Sequence, residues 1–210
     1  QHDMFFRGCD PPPPFPFVYV PGSTLAWWGD LREILDGLLR GLPPEVRICH
    51  TPHPQRSVKV SDLVAAHGRT RDPWSGLLMD RLWLPQWPDG WAWEPWTFKT
   101  LGMLLGAARC VVSPWSTLVV EAALVGTPSV LVGFGKGVAG YGAWDHLEPV
   151  KTWPGIFIAR SMEELVASVR RLLEAPKDWP DLAKAAQRVA RADGRAGERI
   201  IQAVEEAVLQ

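Results

Sequence analysis

Cysteine is scarce in this chain, with three among 210 residues. Cys9, Cys49 and Cys110 stand far apart, and an odd, unclustered set argues against both a disulfide framework and a zinc site. Cys49 and Cys110 fall in apolar runs and are expected to be buried thiols, which fits a reducing, cytoplasmic setting. No apolar run is long enough to cross a bilayer. The opening residues, QHDMFFRGCD, do not have the form of a signal peptide. They also lack a starting Met, which leaves room for a longer parent protein. There is no excess of one charge: 22 Lys and Arg face 23 Asp and Glu, for a formal net charge of −1. Nucleic-acid and membrane-surface binders usually carry a basic excess, so neither is expected as a partner here. Any peripheral membrane association is expected to come only through the full-length protein. Ser-His-Asp elbow, HExxH and CxxC patterns are missing, which takes support from hydrolase, zincin and redox chemistry. No metal or other cofactor is implied.

Hydrophobic residues make up 47% of the chain and charged residues 21%, the balance of an ordinary globular protein. Tryptophan is abundant at 12 residues, and four of them fall in WPDGWAWEPW. Such a stretch serves either as a loop packed over a sheet or a neighbouring domain, or as a platform on which a sugar or base stacks.

The order of patterns is that of an α/β protein. A proline-rich leader, PPPPFPF, cannot join a ladder and marks residues 1–16 as an interdomain linker. Residues 17–210 are then one domain. Phe17 to Val20 reads as a strand. Leu31, Ile34, Leu35, Leu38 and Leu39 recur at helical spacing up to Gly41 and Pro43. Strands follow at Val46–Cys49, around Leu82, at Cys110–Ser113, at Pro128–Val132 and at Ile156–Ala159. Helices are expected at Asp62–His67, Glu94–Ala108, Ser116–Val125, Ser161–Leu173, Asp181–Ala190 and Arg195–Leu209. Apolar strands alternating with helices imply a doubly wound, Rossmann-like parallel sheet of about six strands with a helical C-terminal tail. In such sheets ligands bind outside the C-terminal ends of the strands.

Three segments sit at such ends. In VVSPWSTLVVEAALVGTPSVLVGFG, Ser113 closes a strand, and Ser116 and Thr117 are expected to open a helix. A helix start offers free N–H groups and a positive dipole end to an anion, and small hydroxyls add donors. Equally, Ser116 can be a simple N-cap. Glu121 lies one turn beyond Thr117 on the same face, placed to accept both hydroxyls of a ribose or to be an ordinary surface glutamate. In CHTPHPQR, two prolines hold His53 outward beside Arg56, and the pair can donate to a diphosphate. His50, nearer the strand, is expected to be packed. In GFGKGVAGYGAWDHLEPV the glycines permit close approach. Gly135, Lys136, Asp145 and His146 are candidate ligand contacts there. The segment is not a Walker loop, and its GxGxxG spelling lacks the strand and helix context that a dinucleotide fingerprint needs.

Taken in order, these motifs resemble the C-terminal, donor-binding domain of GT-B glycosyltransferases. The nearest likeness is to CDP-glycerol transferases, polysaccharide glycosyltransferases and UDP-N-acetylglucosamine 2-epimerases. Ser116, Thr117, Glu121, Gly126 and Pro128 match the family's donor motif in order. TPHP around His53 resembles its His-Pro segment, RGCDPPPP its linker, and DHLEPV through DGRAGERIIQAV its tail. The Trp-rich stretch between Trp83 and Trp96 departs from the family pattern. The resemblance implies that Ser113, Ser116, Thr117, His53 and Arg56 hold a diphosphate and Glu121 a ribose. It further implies a nucleotide-activated sugar or polyol phosphate donor, metal-independent transfer to an acceptor hydroxyl, and a separate N-terminal acceptor domain that brings the catalytic base. A sugar-nucleotide 2-epimerase domain shares the architecture. A non-catalytic nucleotide-binding or assembly module with a Trp-rich surface is the alternative outside enzymes.

Overall fold

The run FVYVP forms strand β1 (Phe17–Pro21), and all five residues are buried. A strand buried along its whole length needs cover on both faces, which a parallel sheet between helical layers provides. The computed structural model describes residues 16–21, 25–51, 82–83, 95–114, 116–135, 145–176, 179–190 and 195–208. The other strands are β2 (Arg47–Thr51), β3 (Leu82–Trp83), β4 (Cys110–Ser113), β5 (Ser129–Val132) and β6 (Ile156–Ala159). They form one six-stranded sheet in the order β3-β2-β1-β4-β5-β6, and every pairing is parallel. The two runs CVVS and PSVLV are neighbours, with Val112 opposite Val130.

The helices are α1 (Leu25–Gly41), α2 (Pro95–Ala107), α3 (Leu118–Leu124), α4 (Met162–Glu174), α5 (Pro180–Val189) and α6 (Ala196–Val208). Alternation along each strand divides the side chains between two faces. Val18, Val20, Val112, Val130 and Val132 meet Leu31, Leu35 and Leu38 of α1 and Leu165 and Val169 of α4. On the opposite face Phe17, Tyr19, Cys49 and Val111 meet Leu104 and Leu105 of α2 and Ala122 of α3. A third cluster joins Val119 and Ala123 of α3 to Leu182 and Ala186 of α5, with Leu131, Val150 and Trp153.

Glycine is needed at two positions, for two different reasons. A Cβ at Gly41 would lie 2.6 Å from Val166 Cγ1, so α1 and α4 approach more closely than a larger residue permits. Gly126 has φ +76°, and α3 ends there. Thr127 N–H donates to the Ala122 carbonyl (2.9 Å) and Gly126 N–H to that of Ala123 (3.0 Å), the paired bonds of a glycine-terminated helix. Thr127 Oγ1 then donates to the Leu105 carbonyl at 2.7 Å, tying this turn to α2. At the other end of the scheme, Ser161 caps α4 by accepting from Glu164 N–H at 3.2 Å. Arg109 donates to the carbonyls of Leu173 and Ala175, satisfying the end of the same helix.

Four differences from the sequence reading stand out. Helix α1 begins at Leu25, a full turn and more before its first apolar marker, Leu31. Helix α3 begins at Leu118 rather than Ser116. The stretch Asp145–Thr152, given no element by its sequence pattern, is a 3-10 helix whose Val150 and adjoining Trp153 are buried. Strand β2 runs on to Thr51, two residues beyond Cys49. The helix expected at 62–67, the linker up to residue 15 and most of the Trp-rich stretch lie outside the described residues.

Cys49 and Cys110 are buried and free, as their apolar surroundings imply. Burial pushes both thiols up, Cys110 to about 12 despite the opposing charge of Arg109, so neither is a reactive thiolate near neutral pH. Among the described residues no helix is long and apolar enough to cross a membrane. Nor does any group of three metal-ligating side chains occur among them.

Candidate functional site

The chain leaves β1 toward β2 on one side, while β4, β5 and β6 extend on the other. The order of strands therefore reverses between β1 and β4. At such a point the connections leave in opposite directions and open a crevice at the C-terminal edge of the sheet. The turn after β4 borders that crevice: Ser113 ends the strand, and Ser116 and Thr117 follow in the turn.

Each of these residues occupies a different environment. Ser113 is fully buried, and no protein atom pairs with its Oγ. Alternation puts it on the same face of the sheet as Val111. Ser116 is half-buried, and its Oγ accepts from Leu118 N–H at 3.3 Å. Thr117 is exposed, has helical φ and ψ, and makes no side-chain capping bond.

The expected helix-end anion site needs a correction. Helix α3 has seven residues, about two turns, and its dipole is correspondingly small. Its first N–H groups are also occupied. Val119 N–H donates to the Ser116 carbonyl at 3.1 Å, Val120 N–H to that of Thr117 at 2.9 Å, and Glu121 N–H to Thr117 at 3.3 Å. The first two of these, between residues three apart, tighten the start of the helix and use donors that a straight α-helical start would leave open. Among the described side chains, the turn offers an anion the hydroxyl of Thr117 and the O–H of Ser116, which still has its proton to give.

Glu121 stands in the first turn of α3, one turn beyond Thr117. Its side chain is exposed, yet the protein around its carboxyl is dense enough that desolvation raises its pKa above the ordinary 4.5. Water reaches the exposed group and screens the effect. For a carboxyl with a raised folded pKa, the native state binds more protons between the unfolded and folded values. Stability contributed by that proton is present at low pH and is lost as pH rises through the window. Glu121→Gln is therefore expected to stabilise the unliganded protein slightly at pH 7 and not at pH 3. Urea denaturation at the two values measures the difference.

Other candidates are placed less fully. His50 is buried at the end of β2, with Nδ1 2.7 Å from the Val20 carbonyl. A carbonyl only accepts, so Nδ1 carries the proton there. His50 is thus fixed to the neighbouring strand, as expected. His53, Arg56 and Lys136 lie outside the described residues. Asp145 and His146 begin the 3-10 helix. Gly135 is exposed, has φ +95°, and lies just beyond β5 on the same edge.

Two residues at this edge are missed by sequence reasoning. Arg160 follows β6 directly and is exposed. Asp30, from α1, lies against Gly135: a Cβ on that glycine would be 2.7 Å from Asp30 Oδ2. An aspartate just before an apolar helical pattern looks like an N-cap, and only the earlier start of α1 reveals its place.

Neither a protein-family model nor a curated protein sequence matches the chain. Solved structures do. The UDP-GlcNAc 2-epimerase of Methanocaldococcus jannaschii, in complex with UDP-GlcNAc and UDP, superposes with a TM-score of 0.54 at 13% identity. The match covers 91% of this chain and 45% of that one. CalG4, the calicheamicin glycosyltransferase, gives 0.51 at 17% identity over 95% of this chain and 44% of its own. The fold is that of the C-terminal half of the GT-B enzymes. The glycotransferase of kitacinnamycin agrees, with a TM-score of 0.52 at 18% identity over 92% of this chain and 44% of that one. The chain thus spans a little under half the length of the GT-B proteins it matches. At these identities the likeness speaks to the fold.

Proposed function

We propose that this GT-B C-terminal fold binds a nucleotide-activated sugar or polyol phosphate and presents it for transfer to an acceptor hydroxyl. The supporting observation is positional. A turn carrying two small hydroxyl side chains borders the crevice between β1 and β4, and a carboxylate follows one helical turn later. Ser116 and Thr117 donate to the diphosphate through their hydroxyls, and His53 and Arg56 assist from the segment after β2. Glu121 accepts from the ribose. As the glycosyl bond breaks, the leaving nucleoside diphosphate gains negative charge. Donors fixed at that point stabilise the transition state more than the ground state. A base from outside this chain deprotonates the acceptor. The residues proposed for the donor are equally suited to a sugar-nucleotide epimerase, and a match to one such enzyme keeps that reading beside transfer.

A thermal-shift screen of the chain against UDP, CDP, GDP, ADP and CMP tests the proposal. A ligand at ten times its dissociation constant should raise the melting temperature by about 3–6 °C, since binding to the native state alone stabilises by mass action. No shift with any of the five at millimolar concentration would favour a non-catalytic assembly module.

A further inference from the structure

Three of the four large apolar side chains that stand exposed among the described residues lie on one helix, α6. Ile200 is 65% exposed, Ile201 61% and Val204 56%. Steps of three and four residues put them on one face together with Gly197. A Cβ at Gly197 would meet nothing within 4 Å, so that end of the face is open as well. Single exposed aliphatics are ordinary on a protein surface, but a contiguous stripe of them marks a contact surface. We propose that this face pairs with a second copy of the chain, the two α6 helices lying antiparallel about a two-fold axis. The proposal stands apart from the nucleotide reading and does not depend on it.

Two properties of α6 select that occupant. The first is that the stripe is centred on the helix. Ala196–Val208 has its midpoint at Gln202. A two-fold axis beside Gln202 lays Ile200 of one copy against Val204 of the other and brings Ile201 close to its own counterpart. Gly197 then comes level with Ala207, where small residues let the two backbones approach. A contact between identical surfaces requires a patch that complements itself in this way.

The second property is the division of charge along the helix. Its N-terminal end carries Arg195, Glu198 and Arg199, a net +1, and its C-terminal end carries Glu205 and Glu206, a net −2. Antiparallel pairing sets each end against its opposite and also opposes the two helix dipoles. Parallel pairing sets like against like. Arg195 is held beside Glu198 at 2.7 Å, and in the antiparallel pair this end lies level with Glu205 of the second copy. An anionic membrane suits the face less well, because Glu198 and Glu205 edge the stripe and α6 has no aromatic side chain.

Size sets the strength. Thirteen residues make a face about 20 Å long and about 10 Å wide, well short of the ~800 Å² that each partner contributes to a stable interface. The dissociation constant is therefore expected to be on the order of 100 µM. At low micromolar concentration the chain is then a monomer with this face in water.

Sedimentation equilibrium from about 10 µM to about 1 mM tests the proposal. The unmodified chain should pass from monomer to dimer across that range. Ile201→Glu places two like charges together in the contact and should weaken association by about tenfold or more. Its melting temperature at low micromolar concentration should stay that of the unmodified chain, which separates lost pairing from lost folding. Arg195→Glu and Glu205→Arg should each weaken the dimer. The two combined in one chain should restore it, since every exchanged charge again meets its opposite only in the antiparallel arrangement. A chain that stays monomeric throughout the range would overturn the proposal, and so would a dimer that Ile201→Glu leaves intact. A doubly exchanged variant as weak as the single ones would overturn the antiparallel pairing. A monomer that instead sediments with phosphatidylglycerol vesicles would give the face to a lipid surface and overturn the proposal as well.

Discussion

Glu121→Ala should weaken binding of a nucleoside diphosphate by roughly 1.5–3 kcal/mol, or about 10- to 150-fold, while leaving the fold intact. The reasoning is local. Glu121 is on the surface of α3 and makes no contribution to the buried clusters, so its removal costs the protein little. A ribose that it holds would lose two charge-assisted hydrogen bonds. Inorganic diphosphate has no ribose and should bind the variant almost as it binds the original chain. Thr117→Val removes a hydroxyl from the turn itself and should weaken both ligands. Titration calorimetry of the two variants against the two ligands separates the roles. Equal loss of both ligands in Glu121→Ala would take Glu121 away from the ribose. The raised pKa adds a second mark. An ionised carboxylate is the better acceptor, so nucleotide affinity should fall as pH drops through a value above 4.5, and inorganic diphosphate should not show the same component.

The parts of this fold that follow from periodicity are legible in the sequence. CVVS and PSVLV are too short and too uniformly apolar for surface helices, and they are adjacent strands in the middle of the sheet. Gly126 and Pro128 mark the end of α3 because a left-handed residue and a missing N–H both stop a helix. Ser161 with Glu163 and Glu164 marks the start of α4, and Glu163 titrates below its ordinary value because its own backbone N–H and the Ser161 hydroxyl both favour the charged form. Less is legible where one residue pattern serves two geometries. Ser-Thr before LVVEAAL signals a helix start, but the same residues close a tight turn whose bonds between residues three apart use up the N–H groups. Asp30 and Gly135 are 105 positions apart, and no local signal announces that α1 crosses the sheet to meet the end of β5. His53, Arg56 and Lys136 remain as the sequence presents them, since they fall outside the described residues.

The largest effect on stability is expected from the face of the sheet covered by α1 and α4. Leu38 is fully buried there, in a cluster with side chains from both helices and five strands. Leu38→Ala should cost about 2–5 kcal/mol, the sum of lost transfer energy and an unfilled cavity. For a chain of this length the melting temperature should drop by about 5–20 °C. Ile201 makes the contrast. It lies on α6, is 61% exposed, and belongs to none of the three clusters among the described residues. Ile201→Ala should therefore shift stability by no more than about 0.5 kcal/mol. Urea denaturation of both variants measures the two costs on one scale. A cost under 1 kcal/mol for Leu38→Ala would mean that α1 is not docked on the sheet as described, and with it Asp30 would lose its place beside Gly135. A cost above 1 kcal/mol for Ile201→Ala would show that the apolar side of α6 is covered in solution, because a side chain already in water has no burial to lose.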